Sequence, residues 1–261
     1  ADCTLSDLFS LEIMGGISRG LHNAGYDMLV VEIDPRDTGW ARKLLDSAQV
    51  DGFVLMTSTR KQAHIKLLSE LQAPFVAWGV PGVEAGFCTV SSDNRRGGEL
   101  AGRHLVGLGR RRFALIAGPE IEAEVQLRLS GCANALAAAG LSLDDGLVRW
   151  GDFSEESGRQ AMESLLDLDP RPDAVFAFGD FMAIGAMKAI RGRGLRIPED
   201  VAVVGFDNLM VAAYVEPPLT TVSQNVARSG KALAESLVQY LRTGQISHVI
   251  MPVDLVRRGS A

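Results

Sequence analysis

Cysteine is scarce in this 261-residue chain, and the three present, Cys3, Cys88 and Cys132, form no CxxC pair. An odd, scattered set excludes a disulfide framework as the source of stability, and the expectation is reduced thiols. Histidine is equally sparse: His22, His64, His104 and His248 show no HxxxH spacing and no cysteine partner, so no metal site is expected. Positive charge is not in excess. Lys and Arg number 26 against 32 Asp and Glu, a net charge of -6, which lacks the concentrated basic surface that a nucleic-acid backbone demands. The densest basic cluster, Arg110 to Arg112, reads as a solvated turn. No stretch approaches the roughly 20 uninterrupted apolar residues of a membrane span, and no basic start leads into an apolar signal core. Catalytic signatures are missing too. No serine sits in a GxSxG elbow, Gly230-Lys231 has neither the earlier glycine nor the following hydroxyl of a phosphate loop, and Gly192 to Gly194 follows a helical pattern rather than a strand.

What the chain has is an apolar core in periodic form. Hydrophobic residues make up 47% of it, and the length suffices for two domains. Helical and short apolar strand patterns alternate from end to end, the mark of parallel sheets with crossover helices. A first series has helices over 13–24, 41–48 and 61–71 and strands over 27–33, 52–56 and 74–78. A connecting strand near 89–91 and a helix over 95–108 lead to a second series: strands over 112–117 and 147–150, and helices over 127–139 and 155–166. A helix over 226–241 and a strand over 249–256 come last.

The densest information lies between Pro172 and Val222. Residues 174–178 form an apolar run of strand length, Asp180 stands at an N-cap position before a helix over 181–191, and Gly192 and Gly194 stop that helix. A second buried strand over 201–206 ends at Asp207 and Asn208. Open parallel sheets bind small molecules outside the carboxyl ends of their strands, which makes Gly179, Asp180, Asp207 and Asn208 candidates on topology alone.

The run PDAVFAFGDFMAIGAMKAIRGRGLRIPEDVAVVGFDN, the PPLTTVSQN after it, DNRRGGELAGRHLVGLGRRRFALIAGP at 93–119, LRLSGCANAL at 127–136 and VDLVRRGS at 253–260 resemble the effector-binding core of the LacI/GalR family of bacterial transcription regulators. They cover nearly the whole chain in the expected order. The resemblance implies an α/β fold of two Rossmann-like lobes with parallel sheets, of the type I periplasmic-binding-protein-like kind, joined by three crossings. Residues 1–108 plus 223–248 would form the N-terminal lobe and 109–222 plus 249–261 the C-terminal lobe. It also implies a small effector, a sugar or other small metabolite with a sugar expected, held in the interlobe cleft, no cofactor and a homodimer, while the reduced-looking cysteines favour a cytoplasmic setting. Operator DNA would be bound only through a separate N-terminal helix-turn-helix headpiece, and this chain is expected to start near the end of the family's first strand, without that headpiece.

Site residues follow from the same resemblance. Arg128, three residues before Gly131, matches the arginine that reaches into the cleft, and a guanidinium can clamp two neighbouring hydroxyls. Asp207 matches the cleft aspartate, an acceptor-only carboxylate. Phe153, in WGDFSEESG, falls where an aromatic ring faces the effector, and such a ring suits the C–H face of a pyranose. Gly179 departs from the asparagine usual there, so a roomier pocket is expected at that point. Phe9 and Ser10 correspond to an aromatic-rich loop, Trp78 and Gly79 as well as Thr57 and Ser58 end strands, and Gln224 follows the TTV crossing. Asn94 and Arg95 lie near another crossing, and Asp180 is expected to cap its helix. The expectation is a sensor that makes and breaks no bonds. A transporter's periplasmic sugar-binding protein or, failing that, a doubly wound enzyme would share the architecture.

Overall fold

The computed structural model of the chain describes residues 7–31, 33, 37, 39–56, 62–80 and 86–261. It divides into two units. The N-terminal unit takes in the described residues up to 92 together with 226–251; the C-terminal unit takes in 93–225 and 252–261. The chain therefore passes from one unit to the other three times.

In the N-terminal unit, helices α1 (Leu8–Asn23), α2 (Trp40–Asp46), α3 (Gln62–Glu70) and α8 (Val226–Thr243) accompany strands β1 (Phe53–Met56), β2 (Phe75–Trp78), β3 (Cys88–Ser92) and β9 (His248–Met251). All pairings are parallel, in the order β1-β2-β3-β9. Helix α1 begins earlier than its apolar spacing indicates because Asp7 caps it, one carboxylate oxygen accepting from the Ser10 amide at 2.9 Å. The strand expected over 27–33 is not formed among its described residues. Leu29, Val30 and Val31 are about half exposed, and a strand requires a partner for its amides, whereas β1 is paired only with β2 among the described residues.

The C-terminal unit holds α4 (Asn94–Gly107), β4 (Phe113–Ala117), α5 (Ala123–Ala138), β5 (Val148–Trp150), α6 (Glu155–Leu166), β6 (Ala174–Ala177), α7 (Asp180–Gly192), β7 (Ala202–Asp207), β8 (Thr220–Ser223) and β10 (Asp254–Val256). Its sheet runs β10-β8-β7-β6-β4-β5. It is parallel except for β10, which pairs antiparallel to β8 and closes one edge. The apolar runs of β4, β6 and β7 are buried on both faces, as expected where helices cover a sheet on two sides, and Phe176, Phe178 and Phe206 fill the middle.

Two boundaries differ from the sequence reading. Helix α4, expected with the first lobe, packs on the second because its buried face is a stripe of small residues, Gly97, Gly98, Ala101 and Gly102, that lies against α5 and the Phe206 ring. The single strand expected over 249–256 is two strands, broken at Pro252, with β9 in one unit and β10 in the other. The thiols of Cys88 and Cys132 are free and buried, and burial pushes that of Cys132 up to about 12. Cys3 lies outside the described residues.

Each major helix contact is made at a reciprocal pair of glycines. A Cβ at Gly98 would overlap the Arg128 carbonyl, and one at Gly131 would overlap the Arg95 carbonyl, so α4 and α5 touch backbone to backbone. Gly16 and Gly230 do the same for α1 and α8, meeting the carbonyls of Ala227 and Ile13, and Gly158 and Gly185 do so for α6 and α7. Replacing Gly131 with alanine should force the α4–α5 contact apart and lower stability by about 1–3 kcal/mol. Gly15, inside α1 with nothing near its Cβ position, should gain up to about 1 kcal/mol on the same change. Thermal melts of Gly131→Ala and Gly15→Ala moving in the same direction would refute the close-contact account.

Candidate functional site

The C-terminal unit has a topological switch. Strands β4 and β6 are neighbours, yet the helices that follow them pack differently, α5 against α4 and α7 against α6. A crevice outside the carboxyl ends of such a strand pair is where open α/β sheets receive ligands. Gly118 directly follows β4, and Gly179 lies two residues beyond β6. Phe153 lays its ring across both: a Cβ at Gly118 would overlap the ring, and one at Gly179 would lie 3.5 Å from its Cδ1. The space expected at Gly179 is thus bordered by the Phe153 ring rather than empty. Phe153 has φ 69° and remains 37% exposed. The left-handed backbone is stabilised by the residues on either side, where the Asp152 carboxylate accepts from the Ser154 amide at 3.0 Å and Ser154 caps α6. Hydrogen bonds to Asp152, from the Ser154 side chain first and then from the Ser154 amide and the Ser157 side chain, hold it down at about 2.

Arg128 stands on α5 with only 6% of its surface exposed, so it is no surface helix arginine. Its Nε donates to Asn94 Oδ1 at 2.8 Å, Nη1 donates to the Phe178 carbonyl, and the guanidinium carbon lies 3.6 Å from the Phe206 ring centroid. Burial lowers its affinity for the proton, while the charges of Asp207, Glu124 and Asp180 act the other way.

Asp207 ends β7 at φ 118°, followed by Asn208 at φ 58°, two consecutive non-glycine residues in the left-handed half of backbone space. Gln224, itself buried, donates from Nε2 to Asp207 Oδ1 at 2.5 Å. Asn208 accepts at Oδ1 from Arg258 Nη2 at 2.6 Å. The other carboxylate oxygen of Asp207 lies 3.7 Å from the Cβ position of Gly179, so Arg128, Phe153, Gly179, Asp207 and Gln224 belong to one neighbourhood.

Asp180 is not the N-cap that its sequence position indicates. Gly179 occupies the cap position without a side-chain bond, and Asp180 is the first helical residue, its carboxylate turned into the core. There it accepts from the Leu209 amide at 2.8 Å and the Thr221 hydroxyl at 2.5 Å. Burial first, and the Asp207 charge second, raise it well above the usual carboxylate range.

In the N-terminal unit, Phe9 and Ser10 lie in the first turn of α1, not in a loop, because the Asp7 cap starts the helix before them. The Ser10 hydroxyl is spent on Asp7 Oδ2 at 2.5 Å. Phe9 meets Trp78, the last residue of β2, with ring centroids 6.1 Å apart, so these two do form an aromatic pair at a strand end. Thr57 and Ser58 lie outside the described residues. Sequence reasoning missed Thr221, Ser223 and Arg258 as supports of the Asp207 turn; the segments TTVS and LVRRGS were conspicuous, but nothing in them says which carbonyls and carboxylates they meet.

Residues 103–261 match the family model of a periplasmic binding protein-like domain. Among curated proteins the chain is similar to the HTH-type transcriptional regulator CelR of Thermobifida fusca, 42% identical over 81% of this chain and 62% of that protein. Among solved structures it is similar to a transcriptional regulator CelR–cellobiose complex (34% identity, TM-score 0.89, 98% of this chain and 80% of that one). A regulatory protein of the LacI family from Chloroflexus aggregans is similar too (32% identity, TM-score 0.87, 95% and 91%). The chain thus spans less than two thirds of the full length of the Thermobifida relative.

Lysine carries its charge at a point and cannot span Asn94 and the Phe178 carbonyl as the Arg128 fork does. Arg128→Lys should therefore lower stability by about 1–3 kcal/mol in chemical denaturation. Arg96→Lys, at the exposed ion pair with Glu99 on α4, should stay within about 0.5 kcal/mol. Equal losses in the two variants would mean that Arg128 is not held as described.

Proposed function

The chain belongs to the LacI family of transcription regulators, within its periplasmic-binding-protein-like domain, and from that premise we propose that it senses a small effector, a sugar. One observation carries this reading: the strand ends of the C-terminal unit gather a buried guanidinium, a carboxylate on a left-handed backbone and a partly exposed aromatic ring around a topological switch point. Those are the donors, the acceptor and the apolar face that a pyranose presents work for. Asp207 accepts from neighbouring sugar hydroxyls, Arg128 donates, Phe153 stacks on the C–H face, and Gly179 leaves that stacking face unobstructed. Gln224 sets the Asp207 carboxylate. In the N-terminal unit, the Phe9–Trp78 ring pair and Ser10 are further effector-binding candidates. The cellobiose bound by the CelR of the solved complex supports a saccharide as the class.

Binding biases the arrangement of the two units, and it can do so only if the effector has different affinity for different arrangements. In the complete protein that bias would reach operator DNA through a separate headpiece in a cytoplasmic homodimer, since a two-fold protein matches a palindromic operator. No bond of the effector is made or broken.

A thermal-shift screen of cellobiose, other saccharides, polyols and nucleobases tests this. A saccharide at 100 times its dissociation constant should add about 2.7 kcal/mol. Asp207→Ala should abolish that gain. Gly179→Asn, whose backbone at φ -165° accepts any residue, should put an amide between the ring and the carboxylate and weaken binding by about tenfold, or 1.4 kcal/mol. A shift with nucleobases and none with saccharides would discard the sugar; chemical conversion of the bound ligand would discard the sensor.

A further inference from the structure

We propose that Asp180 is the positioning residue for Asp207, holding from inside the core the left-handed turn that aims the effector-binding carboxylate. The inference deepens the sensor reading and rests on it for Asp207's role. Two consecutive non-glycine residues at φ 118° and φ 58° persist only where their surroundings over-determine them. Asp180 supplies that determination at the point where the turn ends. Its Oδ2 takes the Leu209 amide at 2.8 Å, and its Oδ1 takes the Thr221 hydroxyl at 2.5 Å. Thr221 Oγ1 in turn lies 3.4 Å from the Asn208 amide, so two successive amides after Asp207 lead back to one carboxylate.

The site for that carboxylate is built. Asp180 is 0% exposed, and Gly205, two residues before Asp207 on β7, has no room for a side chain: its Cβ would lie 2.5 Å from Asp180 Oδ1 and 2.9 Å from Leu219. A helix N-terminus would favour an acidic residue, but an exposed one would serve; nothing about α7 itself requires a carboxylate in the core beside Asp207. The requirement comes from the Asp207 turn. Because Thr221 lies on β8, three residues before the Gln224 that bonds Asp207, the same carboxylate also ties the turn to the segment that leaves this unit at residue 225.

Hydrogen exchange on the intact chain decides this without an effector. In Asp180→Ala the Leu209 amide should exchange about 100-fold faster than in wild type, with a much smaller change at Val204 in the middle of β7. Asparagine can still offer an oxygen to Leu209 and an N–H to Thr221, so Asp180→Asn should bring Leu209 back to within about tenfold of wild type. Equal acceleration at Leu209 and Val204, or no acceleration at Leu209, would overturn the proposal, the first because Asp180 would then only stabilise the unit as a whole. Should Asp180→Ala fail to fold, Thr221→Val takes its place: faster exchange at Asn208 with Val204 unchanged supports the relay, and unchanged exchange at Asn208 sinks it. Titration with cellobiose adds a second arm, in which Asp180→Ala should weaken binding at least about tenfold and Asp180→Asn by less than about threefold. A wild-type chain that binds no saccharide would remove the sugar reading, while the exchange data would still decide whether Asp180 positions Asp207.

Discussion

Backbone contact between helices at paired glycines is the constraint on which the site depends. On α4 and α5, Gly98 faces the carbonyl of Arg128 and Gly131 faces that of Arg95, so the depth and register of the contact are set by main-chain atoms that cannot rearrange as side chains can. That register brings Asn94, at the start of α4, to Arg128 and turns the guanidinium inward over Phe206. A larger residue at either glycine would move the arginine with its helix. Interiors packed to crystal density transmit such shifts rather than absorb them.

The second constraint is electrostatic. Arg128, Asp180 and Asp207 lie close together, the first two buried, so that the arginine's charge is opposed by burial and Asp180 is raised by burial and by Asp207. Their hydrogen bonds to the Phe178 carbonyl, the Leu209 amide, Thr221 and Gln224 offset the loss of water. Such a network holds each group in one orientation. The aromatic ring of Phe153, resting on Gly118 and beside Gly179, adds an apolar face next to these charges.

Both polar anchors are also tied to places where the chain crosses between the units. Asn94 follows the first crossing, and Gln224 precedes the second. Gly179 carries no side chain beside the Phe153 ring, whose Cδ1 would lie 3.5 Å from a Cβ there.

Periodicity and short motifs determined much of this protein. The alternation of elements and the two-unit plan with three crossings were legible because burial on both sheet faces imposes continuous apolar strands, and Asp207 stood out because strand ends collect polar residues; Arg128, on α5, and Phe153, beyond β5, came from the family resemblance alone. The failures share a cause. Whether 27–33 is a strand depends on a partner for its amides, whether α4 joins the first or second unit depends on which surface its small-residue stripe meets, and whether Phe9 and Ser10 are loop or helix depends on where the Asp7 cap takes hold. Asp180 is the clearest case. Local sequence reads as a helix cap, and only the tertiary structure, by bringing Leu209 and Thr221 to it across 29 and 41 residues of chain, decides that it faces inward and supports Asp207. Local sequence determines which conformations a residue can adopt; the partners for its polar atoms come from distant segments, and those partners choose among them.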